Sequence, residues 1–188
     1  MQLGDDTFFA AVKKRLNTNL KICSFSERND SLLMWSHYAS NHTGFCLEYQ
    51  FTDLVQHLFS MQLYPVHYTD ELFDMNASTK SRLNIYSMAI LARISKHTDW
   101  QYEHEWRSFI WDNAIITQEI SAPIPVGIYV GAKSDMSNSN TKHTMEVCLA
   151  NRINRHRIEL STDKFEMNSQ VLNAWLVQTR LENFIGYK

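Results

Sequence analysis

Two hydrophobic periods follow one another along this chain in no regular order, and that irregularity restricts the fold more than any other feature. Alternating stretches suited to strands run from Leu20 to Phe25, Phe45 to Phe51, Leu63 to Tyr68 and Glu105 to Trp111. Val126 to Val130 is a continuous apolar run that ends in Gly131, as a buried strand would. His156 to Leu160 and Phe165 to Gln170 flank Ser161-Thr162-Asp163 and read as a hairpin. Helical stripes fall between these at uneven intervals. Phe8, Phe9, Val12 and Leu16 behind Asp5-Asp6 mark an N-terminal amphipathic helix. Asn29-Asp30-Ser31 starts a helix over Leu32 to Ala39, which Gly44 stops, and Thr52-Asp53 caps a short one ending near Phe59. Leu83, Tyr86, Ile90 and Ile94 stripe the longest helix, expected from about Ser78 to His97, and Met136 to Arg152 forms another. Val171 to Lys188 fits either period. A doubly wound fold needs strands and helices in regular alternation, which is absent here. The expectation is one α+β domain over residues 1–188, with a mostly antiparallel or mixed sheet and flanking helices.

At 188 residues with 44% hydrophobic and 12% aromatic side chains, the chain has material for a core without covalent staples. Its net charge of -2 gives no global basic field for a polyanion. The basic run Asn151 to Arg157 either complements a helix C-terminus or contacts phosphate or RNA. Cys23, Cys46 and Cys148 are odd in number and widely spaced, so a disulfide framework is not expected and a reducing cytoplasm is the simpler setting. The start M-Q-L-G-D-D does not read as a signal peptide, and no segment approaches the ~20 apolar residues that span a bilayer.

Metal chemistry has little basis. His37, His42 and Cys46 do not match H-E-x-x-H or paired-cysteine spacing, so no metal is expected. Cys46 reads as a buried structural thiol. His37, beside Trp35 in Leu33-Met34-Trp35-Ser36-His37-Tyr38, reads first as a hydrogen-bonded residue on a helix packed against the sheet. Glu103, Glu105 and Arg107 alternate, so on one strand all three would share a face, and Arg107 would pair a carboxylate of a neighbouring strand. Ser24 and Ser26 sit at a strand end, where serines commonly form turns.

Several longer runs carry a resemblance. They are Cys23-Ser24-Phe25-Ser26-Glu27, then Trp35-Ser36-His37-Tyr38-Ala39 leading into Gly44-Phe45-Cys46-Leu47-Glu48, then Lys96 through Arg107 with Trp100-Gln101-Tyr102-Glu103-His104-Glu105, and last Ile128-Tyr129-Val130-Gly131-Ala132-Lys133. Over about residues 20 to 135 they resemble a large bacterial family classed as a domain of unknown function. Its layout in turn looks like an ADP-ribosyltransferase fold. That resemblance implies NAD as co-substrate, and a toxin or phage-defence effector with a protein partner or antitoxin and a protein or nucleic-acid acceptor. It implies Glu105 at the ribose 2′-hydroxyl and Glu103 positioning or deprotonating the acceptor. Ser24 and Ser26 would buttress them, Trp100 or Tyr102 would wall the pocket, and His37, in the most visible motif, would join the cofactor site. Family members usually carry an earlier strand with Arg or Lys next to Tyr, which is not found before Cys23. The chain is therefore expected to be a truncated or diverged member, weak or inactive alone. The rival expectation is a non-enzymatic module that binds a nucleotide or a protein.

Overall fold

The computed structural model describes residues 10, 14, 20–57, 62–74, 84–111 and 122–172. In chain order the elements are β1 (Leu20–Ser26), α1 (Leu32–Tyr38), β2 (Phe45–Glu48), α2 (Phe51–His57), β3 (Gln62–Pro65), β4 (His67–Tyr68), α3 (Ile85–Ile94), β5 (Ser95–Lys96), a 3-10 helix (Thr98–Glu103), β6 (Glu105–Trp111), β7 (Gly127–Val130), α4 (Ser139–Ala150), β8 (Asn154–Leu160) and β9 (Met167–Val171). The class is α+β, as expected. The chain forms two compact units, each drawn from two stretches: residues 1–27 with 55–122, and residues 28–54 with 123–188.

In the first unit β6 lies between β1 and β3, antiparallel to both. Leu20, Ile90 and Phe109 form its buried core, with Tyr64 and Ile94 packed against them. The expected strand over Leu63 to Tyr68 divides in two for a local reason. Pro65 has no N–H to continue the ladder, and Val66 N–H donates to Glu105 O at 2.8 Å. The chain then pairs His67 and Tyr68 in parallel with Ser95 and Lys96. That pairing also ends α3 at Ile94, short of the expected His97. Its start is fixed by Asn84, whose side chain accepts from Ser87 N at 2.8 Å.

In the second unit the sheet order is β2-β7-β8-β9, with β7 and β8 parallel and the other pairs antiparallel. Alternation along β7 sends Tyr129 to one face and Ile128 and Val130 to the other. Trp35 and Ala39, with Ile158 and Met167, cluster with Tyr129. Met136, Met145 and Cys148 cluster with Ile128 and Val130. Helices α1 and α4 thus serve opposite faces, and β7 is buried on both, which explains its unbroken apolar sequence. The expected hairpin is present, although Phe165 falls in its turn and β9 starts at Met167. Strand β2 ends at Glu48, earlier than the expected Phe51. The carbonyl of Gln50 instead accepts from Asp53 and Leu54 N–H, both at 3.1 Å, and so opens α2.

The N-terminal helix expected over Asp5 to Leu16 lies outside the described residues, except that Ala10 and Lys14 are helical. The segments 75–83 and 173–188 also lie outside them.

Candidate functional site

The geometry around Glu103 and Glu105 follows from one left-handed residue. His104 has φ 45° and ψ 53°, and its N–H donates to Gln101 O at 3.2 Å to close the 3-10 helix. Glu103 is therefore the last residue of that helix and Glu105 the first of β6. This corrects the expectation that Glu103, Glu105 and Arg107 share one strand face, because the turn at His104 interrupts the alternation.

The two carboxylates nevertheless meet, through a residue that spacing did not single out. Lys96 Nζ donates to Glu105 Oε2 at 2.9 Å and also to Glu103 Oε2. The parallel β4–β5 pair holds Lys96 in place, and Tyr68 of that pair accepts from Glu105 N–H at 2.9 Å through its hydroxyl. Arg107 grips Glu105 bidentately, Nε to Oε1 at 2.8 Å and Nη2 to Oε2 at 3.0 Å. Its remaining nitrogen, Nη1, donates to Arg93 O near the end of α3. Arg107 thus pairs within its own strand, not with a carboxylate of a neighbouring strand. Glu103 is 3% exposed and Glu105 7%. Buried charges of this kind must be paired, and two cations here balance two anions.

The β1–β6 register sets Ser26 opposite Glu105 and Ser24 opposite Arg107. Ser26 Oγ donates to Glu103 O at 2.6 Å. Burial pushes the Glu105 carboxyl up, yet hydrogen bonds from Arg107, Ser24 and Lys96 outweigh it and lower the group to about 2. Burial alone would lower Lys96, but its hydrogen bonds to Glu103 and Glu105 leave it raised. The ammonium also lies 4.9 Å from the Trp100 ring centroid, a cation–π contact. Trp100 and Tyr102 sit 6.1 Å apart at 33°. Trp106 Nε1 donates to Glu27 Oε1 at 2.7 Å. One neighbourhood therefore holds Ser24, Ser26, Trp100, Tyr102, Glu103 and Glu105, together with Lys96, Tyr68 and Arg107.

His37 belongs to the second unit, in the last turn of α1, and is exposed, edge-on to Tyr38 at 6.2 Å. Helix α1 packs on the sheet through Trp35, and His37 lies on its exposed side. Trp35 takes the inward face, 3% exposed, with its Nε1 donating to Asn29 O at 2.6 Å, and a residue two positions on points elsewhere. Cys46 is half-buried, and burial, reinforced by Glu48, pushes its thiol up. Among the described residues no group of three or more His, Cys, Asp or Glu side chains forms a metal site. No helix among them is long and apolar enough to cross a membrane.

Lys96 and Tyr68 are the site residues that spacing missed. Lys96 opened the K-x-x-x-W-x-Y-E-x-E-W-R run, so its signal was in view without a role. Tyr68 had no signal, because only the β4–β5 pairing brings it to Glu105.

No curated protein and no solved structure matches the chain. Residues 34–108 match the model of a family described as "Protein of unknown function (DUF2971)", so the chain is similar to that family from the residue before the W-S-H-Y-A run to the residue after E-W-R.

Proposed function

We propose that the chain is an ADP-ribosyltransferase-like domain that takes NAD as co-substrate. The observation that supports this best is the β1–β6 register, which sets Ser24 and Ser26 across from the strand that begins at Glu105. Transfer breaks the bond from ribose C1′ to nicotinamide and forms one from C1′ to the acceptor, which gives up a proton. Positive charge develops on the ribose, and a carboxylate fixed beside it stabilises that charge. Glu105 suits this task because its neighbours keep it ionised. The same neighbours make it a poor base, so deprotonation of the acceptor falls to Glu103. Trp100, half-exposed beside Tyr102, offers a ring face for nicotinamide or adenine. The biological setting that accompanies this reading is a toxin or phage-defence effector in the cytoplasm, restrained by a protein partner and acting on a protein or nucleic acid.

A second reading is a non-enzymatic binding module for a nucleotide or a protein. It is favoured by the occupancy of Glu105, whose two oxygens already accept from Arg107 and Lys96. One experiment separates the two: nicotinamide release from NAD by wild type and Glu105→Gln, with the melting temperature followed in parallel. The transferase reading expects release that falls about 100- to 1000-fold in Glu105→Gln. A melting temperature raised by NAD without release supports the module. Equal release by both proteins removes Glu105 from the chemistry.

A further inference from the structure

The second unit places Lys133 and Arg157 at one turn, with His42 beside it. Gly131 to Ser134 follows β7 and is docked on the segment after α1: Lys133 N–H donates to His42 O at 3.0 Å, Gly131 N–H to Gly44 O at 2.9 Å, and Ser134 Oγ to Thr43 O at 2.6 Å. A Cβ on Gly131 would stand 2.2 Å from His42 O, so only glycine permits this approach. Ser40, Asn41 and His42 are three consecutive non-glycine residues with left-handed φ of 47°, 54° and 71°. Backbone held in that region in succession is costly, and such strain gathers at ligand clamps.

Three side chains surround the turn. Arg157, on β8, donates from Nη2 to Ala132 O at 3.2 Å. No other hydrogen bond or ion pair is found for it among the described residues. Lys133 is exposed and likewise has no carboxylate partner among them. Its charge acts on the His42 ring, whose Nδ1 is buried without a hydrogen-bond partner. By contrast, Lys96 and Arg107 are matched by Glu103 and Glu105, and Arg28 by Asp30. An arginine and a lysine at one pinned turn, neither with a carboxylate partner among the described residues, suit phosphate oxygens.

We propose that the Gly131–Ser134 turn, with Lys133, Arg157 and His42 around it, binds a phosphate or pyrophosphate group of the kind a nucleotide carries. The site lies wholly in the second unit and does not depend on the role given to Glu105. The test is a titration of the full chain with inorganic pyrophosphate, ADP and adenosine, followed by the backbone amide signals of Ala132, Lys133 and Ser134. Pyrophosphate and ADP should shift these signals and adenosine should not. Lys133→Gln, at an exposed position that the fold does not need, should weaken pyrophosphate binding about tenfold, as should Arg157→Gln. Tighter binding of ADP than of pyrophosphate would make a nucleotide the source, and equal binding would make the phosphate group sufficient. Adenosine binding as well as ADP would overturn the proposal. So would no shift at millimolar pyrophosphate, or unchanged affinity in Lys133→Gln.

Discussion

Glu105 shows how much of the carboxylate site rests on single side chains. Its carboxylate is lowered from 4.5 to about 2 because Arg107, Ser24 and Lys96 all donate to it. A depressed folded-state value means that the ionised form is favoured by folding, so its contribution is complete above pH 4.5 and is lost as the pH falls toward 2. Wild type should therefore lose stability more steeply than Glu105→Gln across that window, as read from urea midpoints at several pH values. Equal slopes would mean that the carboxylate is not held as described. Lys96 is the complementary case. Lys96→Met leaves two buried carboxylates facing each other without their shared cation. Removing one partner of a buried ion pair costs roughly 3–5 kcal/mol, and urea denaturation at neutral pH should show a loss of that order. The deficit should shrink in mild acid, where a glutamate can take a proton and relieve the repulsion. Neither glutamate's partner set was visible in the spacing. E-x-E suggested a shared strand face, whereas the contact with Lys96 depends on a left-handed His104 that no residue type announced.

At the scale of elements, tight backbone approaches decide which substitutions are tolerated. Gly127 and Gly131 bracket β7, and an added Cβ meets different neighbours at the two ends. At Gly127 the nearest atom is Glu48 Oε2 at 2.4 Å, the tip of an exposed side chain that can swing away. At Gly131 the nearest atoms are His42 O at 2.2 Å and His42 C at 2.7 Å, which are backbone and already pinned by Lys133 N–H. Gly131→Ala should thus cost about 2 kcal/mol or more, and Gly127→Ala under about 1 kcal/mol. Chemical denaturation of the two variants side by side checks the order, and a reversal would show that the turn can yield. His104 gives a related test. A β-branched residue is poorly suited to φ 45°, so His104→Val should destabilise by roughly 1–2 kcal/mol, while His104→Gly should be near neutral.

Across the whole molecule the three cysteines report on burial without any assumption about function. Cys23 is exposed, Cys46 half-buried and Cys148 buried, and none is paired. Burial pushes each thiol up, with Cys148 partly offset by Arg155, so thiolate is scarce near neutral pH. A thiol reagent applied to native protein at mildly alkaline pH should modify Cys23 first, and Cys148 only after unfolding, as read by mass spectrometry of the digested protein. Early modification of Cys148 would mean that the Met145–Cys148 face of the second unit opens readily.

Elements set by local chemistry were legible in the residues alone. The alternation of Leu20 to Phe25 and of Glu105 to Trp111, the unbroken run of β7, and the starts of α1 and the β8–β9 hairpin all appear close to where spacing put them. Period and capping act within a few residues, so they are written locally. Pairing across distance is not. The parallel pairing of His67 and Tyr68 and the end of α3 at Ile94 each depend on a partner far along the chain. So does the meeting of Lys96, Tyr68 and Arg107 at Glu105. Which polar group satisfies a buried charge is decided only when the sheets assemble, because only there does the cost of leaving that charge unpaired arise.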